Sequence, residues 1–311
     1  MKQLAFALLF SVAFISCKKE KPAPEPELVY IETIGKAGTG LGEFNLQKGN
    51  IWHGSFAENG THLFVKDIFN HRIQRLTMDL KPVDWFGYSA NTGWGFHKEA
   101  VAGEDSIRPQ YIYLSGNHLY LTQSHFGNQI LKASAQTGLI EKKFSFPMTV
   151  SSFAVGLQNE FFVYFNEKNI ITKYNDSGDS LFTIGGFGSD SIKFVTADAQ
   201  IITDKAGNLY VCDSDNKRIQ KFNQNGLLIK IWAVNTKKWA SIDIYKEKIY
   251  VEEEDGFSEY DLNGKLTKSW KLPTEHLLQT RFKVFNTDKV IFEYSYDYNY
   301  KVFRLSDGEE E

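Results

Sequence analysis

Residues 207–232, GNLYVCDSDNKRIQKFNQNGLLIKIW, set the tightest limit on what this chain can fold into. Gly207-Asn208 is a turn pair that tolerates positive φ. Leu209-Tyr210-Val211 is a short run of β-formers. Asp213 to Asn216 is a polar loop whose Asp and Asn suit side-chain-to-backbone bonds. Arg218-Ile219-Gln220-Lys221-Phe222 then alternates polar and apolar, the period of a half-buried strand. A turn at Asn223–Gly226 leads to a third strand, Leu227–Trp232. No helical stripe fits.

The apolar second strand recurs as Leu63-Phe64-Val65, Leu119-Tyr120-Leu121, Phe161-Phe162-Val163, Leu209-Tyr210-Val211, Ile249-Tyr250-Val251 and Val290-Ile291-Phe292. The last residues of these runs lie 56, 42, 48, 40 and 41 positions apart. Repeats of roughly 40–50 residues built from strands mean a propeller. An inner strand precedes each run: Ile51–Phe56, Tyr111–Leu114, Ser152–Val155, Gln200–Thr203, Ser241–Ile244 and Arg281–Phe285. The reading is an all-β, six-bladed β-propeller of four-stranded blades. The sixth unit ends with Tyr300–Leu305 and lacks an outer strand, whereas Leu28–Ile34 has no unit of its own. The N-terminal strand (residues 28–34) is therefore expected to complete the last blade and close the ring, leaving no edge exposed. The excess length of the first spacing lies in residues 87–107, an inter-blade insertion of the kind that often carries function.

Residues 62–86 copy the central stretch. Val65 matches Val211, Asp67 matches Asp213, and Asn70-His71-Arg72-Ile73-Gln74 matches Asn216-Lys217-Arg218-Ile219-Gln220. On these residues, with the entry Gly35, Gly38, Gly40, Gly42 and Phe44, the chain resembles the NHL-repeat family. The other four units keep the spacing but lose the motif. Gly127-Asn128-Gln129-Ile130 replaces it in the second unit, and Glu253–Phe257 loses it altogether.

Met1–Ser16 reads as a secretory signal: Lys2 is its charge, and Leu4–Ile15 is an apolar core too short to span a bilayer. It ends in Phe14-Ile15-Ser16-Cys17, which resembles a bacterial lipobox. That implies cleavage before Cys17 and diacylation (palmitate-type chains) of that residue, a firm anchor by the two-chain rule. KKEKPAPEPE, residues 18–27, is charged and Pro-rich and reads as a tether. The expected organisation is signal peptide 1–16, lipidated Cys17 and tether 17–27, and propeller 28–311. The whole resembles six-bladed propeller lipoproteins of Bacteroidetes-type bacteria. This implies a place in the cell envelope, at the outer membrane, facing either periplasm or exterior.

The formal net charge of −3 offers no field for nucleic acid. Cys212 is the one cysteine beyond Cys17, so no disulfide joins parts of the mature propeller, and Cys212 reads as a small strand residue. HExxH, CxxC, GxSxG and phosphate-cradling loops are absent.

Two groups of residues are candidates for a site. Polar residues at the starts of inner strands, His53, Gln110, Asp198, Gln200, Ser241 and Arg281, would line a central channel. Loop residues Asp67, His71, His125, Asp213, Asp215 and Asp255 would form a partly acidic face. Asp67, Asn70, Asp213 and Asn216 have a competing reading as turn-formers, and Arg72 and Arg218 as bridges between loops. No cofactor is implied; Ca²⁺ or Zn²⁺ are the ions such groups would take.

The function favoured from sequence is an anchored envelope module that binds a protein or peptide, with Phe69, Phe126, Phe257, Trp94 and Tyr296 as candidate aromatic anchors. A non-enzyme is preferred over an enzyme because no catalytic constellation stands out. The alternatives are a metal-dependent propeller enzyme, lactonase, hydrolase or lyase, with its site at the channel, and a glycan-binding surface lipoprotein.

Overall fold

A computed structural model describes residues 26–45, 56–67, 70–89, 93–94, 111–122, 127–195, 199–238, 240–272, 281–294 and 299–307. The signal, Cys17 and nearly all of the tether lie outside them, as do His53, Gln110, His125, Asp198, Phe69, Phe126 and Tyr296.

Six antiparallel sheets follow one another along the chain. The fourth blade is typical: Gln200–Thr203, Leu209–Asp213, Arg218–Phe222 and Leu228–Ala233, from the innermost strand outward. The first blade is Phe56–Glu58, His62–Asp67, Arg72–Thr77 and Pro82–Ser89. A fifth short strand, Gly93–Trp94, pairs with Tyr88–Ser89 and takes up part of the insertion. Of the first inner strand expected over Ile51–Phe56, residues 51–55 lie outside the described residues; Phe56 lies opposite Val65, and the strand runs on to Glu58.

The last blade is Phe282–Phe285, Lys289–Tyr294, Asn299–Ser306 and, outermost, Glu27–Ile34. Leu28 lies opposite Leu305 and Ile34 opposite Tyr300. The two ends of the chain therefore close the ring in one sheet, as the unmatched strands required.

Period-two patterning explains how the blades pack. Each second strand is apolar at nearly every position because both faces of its sheet are covered. Leu63 and Val65 face the cluster shared with the last blade, and Phe64 faces the cluster shared with the second blade. Leu209 and Val211 likewise face the third blade, while Tyr210 and Cys212 face the fifth. Six such clusters lie between neighbouring blades around the ring. Phe257 is buried in the one between the last two blades, so it is a core residue rather than an exposed anchor. Cys212 is buried and free, as a small strand residue should be.

The repeat motif ties the first and fourth blades to the linkers that enter them. In the first blade, Arg72 Nε donates to Asp67 Oδ2 at 2.7 Å. Its Nη atoms donate to the carbonyls of Thr39, Gly40 and Glu43 at 2.7–2.8 Å. Asp67 Oδ1 accepts the N–H of Asn45, and Asn70 bridges Asp67 and the Gly38 carbonyl. The fourth blade repeats the set: Arg218 to Asp213 and to the carbonyls of Ser189, Asp190 and Lys193, with Asn216 bridging Asp213 and Gly188. The glycine that opens each linker is set by the aromatic ring that closes it. At Gly35 (φ 83°) a Cβ would lie 2.4 Å from the Phe44 ring, and at Gly185 (φ 106°) 2.4 Å from the Phe194 ring.

Candidate active site in the central channel

The inner strands converge on a cavity of about 220 Å³ to which every blade contributes wall residues. Their register against the second strands places these residues in layers. Tyr111, Ser152, Gln200, Ser241 and Arg281 lie at the strand starts. Tyr113, Asp243 and Lys283 share a layer two residues further on, and Glu58 and Thr203 follow.

Many polar wall groups tie blade to blade. Gln200 Oε1 accepts the N–H of Ile242 at 2.8 Å, and Ser152 Oγ accepts that of Ile201 at 3.3 Å. Asp243 reaches across to the last blade. Its Oδ2 accepts the N–H of Val284 at 3.0 Å, and its Oδ1 receives Lys283 Nζ at 2.7 Å. This pair lies at the wall of the cavity. Burial pulls the Lys283 ammonium down, but Asp243, by charge and hydrogen bond, together with Glu58 and Tyr113, outweighs it and raises the pKa. Burial pushes the Asp243 carboxyl up against the opposing effects of Lys283 and the Val284 N–H.

Opposite stands Tyr113, whose hydroxyl lies 2.8 Å from Thr203 Oγ1. Thr203 gives its one hydroxyl hydrogen to the Val155 carbonyl at 2.7 Å, so Tyr113 is the donor in their bond. Burial raises the Tyr113 pKa, so its phenol keeps its proton. Glu58 accepts the N–H of Gly60 at 2.7 Å through one oxygen.

A second set of buried charges lies where the second strands end. Lys66, Glu252 and Glu293 share one register position, and Arg281 is paired opposite Glu293 at the inner strand start. Lys237 pairs with Glu252 at 2.6 Å. Desolvation pulls the Lys66 ammonium down to about 8; Glu293 raises it and Arg281 lowers it further.

Of the residues expected at the channel, Gln200, Ser241 and Arg281 are at its wall. Of the loop candidates, Asp67 and Asp213 are buried in the clamps. His71 holds the left-handed turn position (φ 54°) that Lys217 holds in the fourth blade. Asp215 is an exposed turn residue, and Asp255 lines a separate groove beside Glu253 and the closing strand. They form no common site. Among the described residues no group of three or more His, Cys, Asp and Glu side chains is placed to hold a metal ion. The channel carboxylates Glu58 and Asp243 do not fit such a centre, since both oxygens of Asp243 are engaged by Lys283 and Val284. Sequence reasoning missed Asp243, Lys283, Tyr113 and Glu58. The signal for the first three was a charged or phenolic residue inside the inner strands Ser241–Ile244, Arg281–Phe285 and Tyr111–Leu114, where apolar residues would suffice; Glu58 lies just past the expected strand Ile51–Phe56.

No protein-family model matches this chain, and no curated protein does. Solved structures do. A streptogramin B lyase matches with a TM-score of 0.59 at 13% identity, covering 91% of this chain and 98% of its own. Virginiamycin B lyase from Staphylococcus aureus matches with a TM-score of 0.54 at 14% identity, covering 84% and 98%. A catalytically inactive histidine-to-alanine variant of the latter enzyme, with quinupristin, gives 0.55 at 12%, covering 90% and 99%. The shared feature is the β-propeller fold. These neighbours correct the expectation that the chain is more a non-enzyme than an enzyme. The proteins whose architecture it matches along nearly their whole length are enzymes, and that expectation had rested on missing linear motifs. In a ring, catalytic groups come from separate blades and leave no such motif.

Proposed function

We propose that this chain is a channel enzyme acting on a small molecule, built on an NHL-like propeller and held at the cell envelope by acylation of Cys17. The observation that carries the reading is the Asp243–Lys283 ion pair at the wall of the channel cavity, facing the half-buried Tyr113 phenol. Clusters of titratable groups with shifted pKa values in a cavity are where enzyme chemistry concentrates.

The roles follow from the bonds. Asp243 is a positioning residue: held by the Val284 N–H, it fixes the Lys283 ammonium. Lys283 keeps its proton and spends one of three hydrogens on Asp243, leaving two to stabilise negative charge developing on a substrate oxygen. Glu58 brings a carboxylate to the same space as a base, while the Tyr113 phenol, whose one hydrogen goes to Thr203, is a positioning group at the wall. Lyase or hydrolase chemistry on a polarised carbonyl or ester is the reaction type this set supports. The lyase neighbours agree with it at the level of fold.

The test is a turnover screen of the purified full-length protein on pooled small esters, lactones and amides, read by mass spectrometry. A substrate should be converted by the native protein and lose at least a hundredfold in kcat/KM with Lys283→Met. Conversion unchanged in Lys283→Met and Asp243→Asn would remove the channel from the reaction. The anchor is tested separately: native protein should partition into detergent and Cys17→Ala should not.

A further inference from the structure

The charges around the cavity are not spread evenly. Among its described wall residues, Glu58, Asp243, Arg281 and Lys283 are the ionised ones. They come from the first, fifth and sixth blades, which are neighbours in the closed ring. The described wall residues of the second, third and fourth blades carry no ionised side chain. Their wall sets Ile112, Leu114, Phe153, Ile201 and Ile202 beside the uncharged polar groups of Tyr111, Tyr113, Ser152, Gln200 and Thr203. The described wall therefore has a charged arc facing an uncharged one that mixes apolar and polar side chains. Among the described wall residues the charged arc holds two cations and two anions, so these balance. An incoming ligand with a single net charge would bring an uncompensated ion into a desolvated space, which is costly. A ligand with one charge of each sign meets a partner for both. The volume of about 220 Å³ lies below the roughly 300 Å³ at which drug-sized sites begin.

Resting on the reading of the channel as the active site, we infer that it takes a small zwitterion with an apolar body: a neutral aliphatic or aromatic α-amino acid, free or as the recognised part of a small substrate. The ligand carboxylate lies toward Lys283 and Arg281, its ammonium toward Glu58, and its side chain against Leu114 and Phe153.

Isothermal titration of the full-length protein compares four probes. L-leucine has both charges and the side chain. N-acetyl-leucine lacks the cation, leucinamide lacks the anion, and glycine lacks the apolar body. Leucine should bind at least tenfold more tightly than each of the others. Lys283→Met should weaken leucine at least tenfold. Leu114→Phe, which fills the neutral arc and leaves the ion pairs in place, should weaken leucine while leaving glycine unchanged; melting curves of both variants report that they fold. N-acetyl-leucine or leucinamide binding as tightly as leucine would overturn the zwitterion and, if Lys283→Met abolished that binding, leave the channel site standing. No binding of any probe would overturn the inference, while the turnover screen decides the enzyme reading independently.

Discussion

The first and fourth blades carry the same motif and differ where it ends. Asp67 and Asp213 occupy one register position, opposite Arg72 and Arg218, and both build the linker clamp. One residue earlier, the first blade has Lys66 and the fourth has Cys212, both buried to about 1% exposure. The clamp position serves the repeat and is constrained by the linker it must hold. Its neighbour is free of that constraint, and there one blade places a cation and another a thiol. The fifth blade extends the comparison. Its sequence has lost the motif, yet Glu253 Oε1 accepts the linker N–H of Asn235 at 3.2 Å, the bond Asp213 makes to Val195. In place of an arginine, the Tyr260 hydroxyl and Ser258 Oγ donate to Glu253 at 2.7 Å. The clamp is thus a geometric requirement that can be met with or without an ion pair.

The two charged clamps are not equal. Arg72 has 1% of its side chain exposed and Arg218 13%, and the respective Nε–Oδ2 distances are 2.7 and 3.0 Å. Gln74 is also fully used, receiving the N–H of Gly42, whereas Gln220 leaves its buried Oε1 without a partner among the described residues. Asp67→Ala leaves a buried guanidinium without its carboxylate and should cost about 3–5 kcal/mol. Asp213→Ala, beside a wetter arginine, should cost about 2–3 kcal/mol. Urea unfolding checks both, and equal losses would erase the distinction between the blades.

The Lys66 position should show itself through pH. Its folded pKa of about 8 lies below the ordinary lysine value of 10.5, so between these the unfolded chain holds more protons than the folded one. Stability therefore rises with pH across that window, by about 2 kcal/mol between pH 7 and 9.5 from this group alone. Lys66→Met should remove that rise. If the variant keeps the wild-type slope of unfolding free energy against pH, Lys66 is not the buried charge responsible.

In the fifth blade, Glu253→Gln keeps an acceptor for the Asn235 N–H but weakens its bonds from Tyr260 and Ser258. It should cost about 1 kcal/mol, well below either aspartate. A loss as large as that of Asp67→Ala would mean that the uncharged clamp holds as much as the charged ones.

The smallest effect belongs to Cys212. Burial pushes its thiol up to about 12, with Asp213 adding to the shift. Iodoacetamide at pH 8 should leave it unlabelled in the native protein and label it in urea. Rapid native labelling would show that the fourth blade opens at the position where the first blade holds its lysine.

Sequence alone determined the ring. Six apolar runs at a repeating spacing demand strands covered on both faces, and an unmatched strand at each end demands closure. Period-two patterning is a local property, so Leu63, Phe64 and Val65 announce their two opposite interfaces without knowledge of any distant partner. The clamps were half legible, since Asp67, Asn70 and Arg72 repeat as Asp213, Asn216 and Arg218, but Glu253 taking over the task was not. The candidate site was the least legible part. Asp243 and Lys283 are 40 residues apart in the chain and meet at 2.7 Å only because adjacent inner strands run side by side around an axis. Which charges share a cavity, and which wall faces them without any, is set by the closing of the ring, and no stretch of neighbouring residues encodes it.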